Sequence, residues 1–156
     1  MRFLFVVSIA LLAFFILFRF EKTPVLVITK DERIIYTKRL EDGKFILTFV
    51  HSVEKTPVYE FYEVLADDTL YLYKTRYSSM GAGLLFQAEG RFEIKDGFFE
   101  AEISRKFKEI FLRVSPLDGH GIVFTDGKVM FKEIAQTSDS LKIFCKHSPF
   151  VKFRFR

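Results

Sequence analysis

Tryptophan is absent from this chain, cysteine occurs once and histidine three times. A single cysteine, Cys145, excludes an internal disulfide and any zinc motif built on thiolates. It sits in the apolar run Leu141 to Cys145, so a core thiol is expected. His51, His120 and His147 are too scattered to define a metal site, and no cofactor is implied. His120 lies in Asp118-Gly119-His120-Gly121, which reads as a turn. His-Glu-x-x-His, Gly-x-Ser-x-Gly and Cys-x-x-Cys are all missing, so no enzyme class announces itself. No internal repeat, low-complexity segment or second domain boundary interrupts the chain. A formal charge of +4 is too mild to argue for a nucleic-acid partner.

Phenylalanine, by contrast, is abundant, with 21 copies among 156 residues, which suits a β-rich core. The first apolar stretch, Phe3 to Phe18, is broken only by Ser8. Its length lies between a secretory hydrophobic region of ~7–15 residues and a spanning helix of ~20. Small residues of the Ala-x-Ala kind are missing at its end, where Phe15-Ile16-Leu17-Phe18-Arg19-Phe20 is bulky. The reading is an uncleaved signal-anchor helix over residues 1–20, and no cysteine follows it to carry a lipoprotein anchor. Arg2 stands against Arg19 and Lys22, a weak orientation signal. Short anchors of this kind send the following domain out of the cytoplasm, so residues 24–156 are expected as one extracytoplasmic domain. A buried amino-terminal helix fits poorly, because the run is apolar all round.

After Pro24 the pattern is almost unbroken short alternation. Strands are expected at Val25–Thr29, Arg33–Arg39, Lys44–His51, Val58–Leu65, Thr69–Tyr77, Arg91–Lys95 and Phe98–Ile103. Further strands follow at Ile110–Val114, Ile122–Thr125, Lys128–Phe131, Leu141–Lys146 and Val151–Phe155. Asp42-Gly43, Asp96-Gly97 and Asp126-Gly127 read as hairpin turns, since both turn positions must reach positive φ. Only Ser104 to Glu109 has the look of a helical turn. The fold class is all-β: an antiparallel β-sandwich or small barrel of about ten short strands, preceded by one membrane helix.

The stretch with most chemistry is His51-Ser52-Val53-Glu54-Lys55-Thr56-Pro57-Val58-Tyr59-Glu60-Phe61-Tyr62-Glu63. It reads as strand, turn, strand. Phe45, Leu47, Phe49 and His51 share one face, and Pro57 fixes its own φ and opens the next strand. Val58, Glu60, Tyr62 and Val64 then share a face, with Tyr59, Phe61, Glu63 and Leu65 on the other. Both faces are largely apolar, so burial of one Glu of the pair is expected. A buried carboxylate must be paired or protonated. His51, Arg76 and Arg91 are the candidate partners. Either a structural His–Glu contact pins the hairpin, or the pair has a ligand or acid–base role. Ser52 is a poor nucleophile for His51, because adjacent strand residues point to opposite faces.

A second stretch, Tyr77-Ser78-Ser79-Met80-Gly81-Ala82-Gly83-Leu84, carries two glycines that permit close backbone approach. It reads as a wide turn or bulge, or as a nest of N–H groups for an anion. Antiparallel pairing returns it to the end of the sheet that holds His51 and Pro57. A polar rim is therefore expected there, with His51, Ser52, Glu54, Thr56, Glu60, Gly81 and Gly83 as candidate binding residues. No residue is assigned a catalytic or metal-binding role.

The segment His-Ser-Val-Glu-Lys-Thr-Pro-Val-Tyr-Glu at 51–60, followed by Ser-Met-Gly-Ala-Gly-Leu at 79–84, resembles the domain of unknown function 1850 family. Leu112-Arg113-Val114-Ser115 also fits, and the likeness covers about residues 24–145. Leu85, where the family pattern has proline, and Met80, often aromatic there, depart from it. The resemblance implies a membrane-side accessory to TAXI-type tripartite ATP-independent periplasmic (TRAP) solute transporters, with a transporter membrane or solute-binding subunit as partner. It supplies no catalytic residues.

Val151-Lys152-Phe153-Arg154-Phe155-Arg156 alternates apolar and basic residues. Its charges either discourage edge-to-edge pairing or meet anionic lipid headgroups near the anchor. Three functions follow from the whole reading. The first is a membrane-anchored accessory or binding module. The second is a small hydrolase or isomerase with His51 and Glu60 as acid–base pair. The third is a purely structural surface protein, should the rim prove flat and apolar.

Overall fold

In the computed structural model the backbone is described for residues 18–78 and 90–153, and side chains for residues 22–149 within those ranges. Among these residues eleven strands follow in order: β1 (Phe18–Lys30), β2 (Arg33–Arg39), β3 (Lys44–Val50), β4 (Pro57–Val64), β5 (Leu70–Tyr77), β6 (Phe92–Lys95), β7 (Phe98–Phe107), β8 (Ile110–Arg113), β9 (Gly121–Phe124), β10 (Gly127–Met130) and β11 (Ser140–Phe153). Among the described residues one short helix, α1 (Phe131–Ile134), separates the last two. It follows Met130, whose N–H donates to Glu133 Oε2 at 3.2 Å.

The strands form two antiparallel sheets, β2-β1-β11-β8 and β10-β9-β3-β4-β5-β7-β6. Both sheets are open, so the closed-barrel alternative is set aside. They share one core. The smaller sheet contributes Leu26, Ile28, Leu141, Ile143 and Cys145; the larger contributes Phe45, Leu47, Tyr62, Leu70, Leu72 and Ile122. Phe45 and Tyr62 stack across β3 and β4 at 5.0 Å between ring centroids. Leu26, Ile28, Leu70, Ile122 and Ile143 lose all their exposure, each worth roughly 1.5–3 kcal/mol of hydrophobic transfer. A separate cluster of Val58, Tyr77 and Ala101, with Phe49 and Phe99 against it, occupies the end of the larger sheet where β4 begins.

Several expectations change. Asp96-Gly97 is a hairpin turn, with φ of 53° and 78° at its two residues. Asp42-Gly43 is not. Its flanking strands lie in different sheets, because β2 pairs with β1 while β3 pairs with β4 and β9. Gly43, at φ 67°, instead carries the chain across, donating its N–H to Leu40 O and accepting from Val64 N–H. The turn at Asp126-Gly127 starts one residue earlier, and Gly127 is already paired with Phe124. Ser104 to Phe107 is strand rather than helical turn, since β5 offers it a ladder as far as Leu70↔Phe107.

The two expected carboxy-terminal strands are one. β11 continues through Pro149, and beyond Ile143 the described strands leave one of its sides open. A proline's missing N–H deprives no neighbour there. The expected anchor helix over residues 1–20 falls, for residues 1–17, outside the described residues. Its last three residues, Phe18 to Phe20, are strand paired with Val151 to Phe153. Among the described residues no helix is long and apolar enough to cross a membrane.

Candidate functional site

The His51 segment is a tight turn. Val50 pairs with Pro57, and β4 begins at the proline as its fixed φ requires. His51 N–H donates to Thr56 O and Lys55 N–H donates to His51 O, both at 2.9 Å. Lys55 takes the left-handed conformation at φ 54° that closes the loop. Glu54 N–H donates to His51 Nδ1 at 3.3 Å, so the imidazole caps the turn. Ser52, Val53, Glu54 and Lys55 are exposed at the tip, while Thr56 is half-buried.

Glu60 does not meet His51. Glu60 pairs across the sheet with Leu47, four residues before His51. At ~3.3 Å per residue their backbones stand about 13 Å apart, beyond direct side-chain contact. Nor do the two candidate arginines reach it. Arg76 approaches Glu100, and Arg91 Nη2 lies 3.0 Å from Glu93. The carboxyl of Glu60 is instead held by Tyr62, whose hydroxyl donates to Oε2 at 2.8 Å. Burial pushes the Glu60 carboxyl above the usual carboxylate range, against the opposing pull of the Tyr62 bond and the Arg105 charge. The same burial, with the Glu60 charge beside it, raises the Tyr62 hydroxyl.

Antiparallel pairing brings the end of β5 to the end of the sheet that holds His51. Tyr77 pairs with Val58, one residue after Pro57, so Ser78 leaves the sheet at the His51 end. Gly81 and Gly83 lie outside the described residues. Tyr77 is 1% exposed, and its hydroxyl finds no hydrogen-bond partner among the described residues.

Sequence reasoning missed a hollow on the face of β5 and β7 away from the core. About 560 Å³ in volume, it is lined by Tyr71, Tyr73, Lys74, Gly90, Glu102, Ile103 and Ser104. A Cβ at Gly90 would approach Glu102 Oε2 to 2.9 Å, so glycine lets the chain pass close to that carboxylate. A small adjoining hollow shares Lys74 and Glu102 and adds Arg91, Glu93 and Glu100. Its charges are braced. Lys74 Nζ lies 3.3 Å from Glu100 Oε2 and 4.3 Å from the Phe61 ring centre. Arg76 lies over Phe98 at 4.1 Å and against the same Glu100 at 3.6 Å. The signal in sequence was the pair Tyr71 and Tyr73 followed by Lys74 and Arg76 along β5. It becomes a site only when β7 sets Glu100 and Glu102 opposite Arg76 and Lys74.

The other two histidines are structural. His120 Nδ1 accepts Ser115 N–H at 3.0 Å, its ring meets Phe131 edge-to-face, and burial lowers its pKa. His147 Nδ1 lies 2.6 Å from Asp68 Oδ1, which also accepts His147 N–H at 2.8 Å. These bonds hold Asp68 below the usual carboxylate range. Cys145 is buried, and burial together with the Asp68 charge pushes its thiol up to about 12, the mark of an unreactive core cysteine. Among the described residues no group of three His, Cys, Asp or Glu side chains is placed to hold a metal.

No curated protein and no solved structure matches the chain. A family model described as domain of unknown function (DUF1850) matches residues 45–131, which span the His51 turn, the face of β5 and β7, and Leu112 to Ser115. With more than half its length matched, the chain belongs to the domain of unknown function (DUF1850) family.

Proposed function

We propose that the chain is a membrane-anchored, extracytoplasmic all-β binding module, an accessory of a TAXI-type TRAP solute transporter. The apolar run Phe3 to Phe18 supports the anchor, and the transporter association is what the resemblance carried by residues 51–60 and 79–84 implies. The observation that carries binding is the hollow on β5 and β7, with tyrosine rings, Lys74 and Glu102 converging on about 560 Å³. Such a lining offers stacking faces and both signs of charge, as a zwitterionic solute or a polar protein surface requires. The exposed tip at Ser52 to Lys55 provides a second contact point beside the β4 end of the sheet.

The test is purification from membranes that contain the transporter subunits. They should co-purify, and Lys74→Glu combined with Tyr73→Ala should reduce recovery about tenfold while the protein stays folded. Recovery of the protein always alone, with those subunits present, overturns the reading.

A second reading, a small hydrolase or isomerase, draws on one observation: burial pushes the Glu60 carboxyl above the usual carboxylate range, the direction a general acid needs. His51 and Glu60 would then have to act on opposite ends of a substrate. Loss of turnover in both His51→Ala and Glu60→Gln, with melting temperature unchanged, is the result that would favour it.

A further inference from the structure

Beyond Pro24 and His147, β1 and β11 continue, among the described strands, as a two-stranded ribbon. β2 pairs only with Val25 to Lys30 of β1, and β8 only with Ser140 to Ile143 of β11. Residues 18–23 and 148–153 therefore have only each other among the described strands. At ~3.3 Å per residue the ribbon extends about 20 Å past Pro24. An isolated two-stranded ribbon is marginal in water and needs a surface to lie on.

The register states which surface. The core-facing positions Ile28, Leu26 and Pro24 pair with Ile143, Cys145 and His147. Continuing that face outward gives Lys22↔Pro149, both exposed, where the core ends. It then gives Phe20↔Val151 and Phe18↔Phe153. The opposite face carries Glu21↔Phe150 and Arg19↔Lys152. One face is thus apolar at its outer end and the other has adjacent cations. Arg154 and Arg156 follow in sequence, and the apolar run Phe3 to Phe18 leads directly into β1.

We propose that this ribbon seats on an anionic lipid surface, its outer Phe and Val positions toward the acyl chains and its Arg and Lys positions at the lipid phosphates. The neighbouring apolar run supplies the occupant, and the excess of basic over acidic residues supplies the sign. The inference rests on the reading that the run Phe3 to Phe18 enters a membrane. It adds a second, composition-dependent contact to that anchor. Near an anionic surface each basic residue is worth about a fivefold change in binding.

The full chain is to be reconstituted in phosphatidylcholine vesicles with and without phosphatidylserine, and amide hydrogen exchange followed at residues 18–23 and 148–153. Protection is expected to rise at least about tenfold with phosphatidylserine and to fall back in high salt. Lys152→Gln with Arg154→Gln and Arg156→Gln should abolish the rise. Equal protection in both vesicles, with the chain still floating with lipid, overturns the ribbon contact and leaves the anchor standing. A chain that does not float with either vesicle overturns both. Protection that follows protein density rather than lipid charge also overturns it, and identifies a second copy of the chain as the occupant.

Discussion

Two partly exposed histidines, His51 just past the end of β3 and His147 within β11, do opposite kinds of work. His51 bonds to Glu54, three residues away, and shapes only its own turn. His147 bonds to Asp68, 79 residues away, and joins the β4–β5 turn of one sheet to β11 of the other. The first closes a small local loop. The second holds two sheets in register, where the loop closed is long and the conformational freedom removed is larger. The histidine with the richer sequence neighbourhood is the less consequential one for the fold.

Breaking the long-range link should therefore cost most. Asp68→Ala removes two hydrogen bonds to His147 and places a Cβ-bearing, non-polar residue at φ 65°. A loss of about 2–4 kcal/mol in denaturant unfolding is expected. Asp68→Gly relieves the backbone part, and the remainder reads the carboxylate alone. The link also has a pH signature. Because Asp68 is held below its ordinary value, it contributes stability above about pH 4, and that contribution fades as pH falls through the lowered folded value. The acid limb of a melting curve should flatten in Asp68→Gly.

His51→Ala is the matching change at the other end. It leaves Glu54 N–H exposed to water and should cost about 1 kcal/mol or less. A loss as large as that of Asp68→Ala would erase the contrast. Tyr77→Phe sharpens it from the other side. Its hydroxyl is buried without a partner among the described residues, so its removal should raise the melting temperature, by up to about 1 kcal/mol of stability. A fall would mean that the hydroxyl is bonded in the working protein.

The smallest effect is expected at Glu60. Its folded value is raised, so its charged form is the disfavoured one, and stability falls as pH climbs from about 4.3 toward that raised value. Glu60→Gln keeps an acceptor for Tyr62 and should be slightly more stable than the parent at neutral pH, with the difference vanishing in acid. Thermal melts at two pH values decide it.

Strand positions were legible wherever alternation was clean. Phe45, Leu47, Val58, Tyr62 and Val64 all face inward as their spacing requires, apart from the half-buried Glu60 among them. The turn at Asp96-Gly97 was legible because its chemistry is contained in two residues. The hairpin at Asp31-Glu32, with φ of 48° and 58°, was not, because neither residue is glycine. Asp42-Gly43 carried the right signal with the wrong consequence: a positive-φ turn reverses the chain but does not choose its partner strand.

What the residues alone determined is local: period-two burial, the start of β4 at Pro57, the inert thiol at Cys145, and the family that the His51 segment marks. Only the tertiary structure decided which strand lies beside which. Hence it alone brought Glu100 to Lys74 and Arg76, and Asp68 to His147. The reason is that alternation and turn propensity act over a few bonds. The pairing of distant charges depends on how two sheets close over a common apolar core, and many sequences of the same pattern would close it differently.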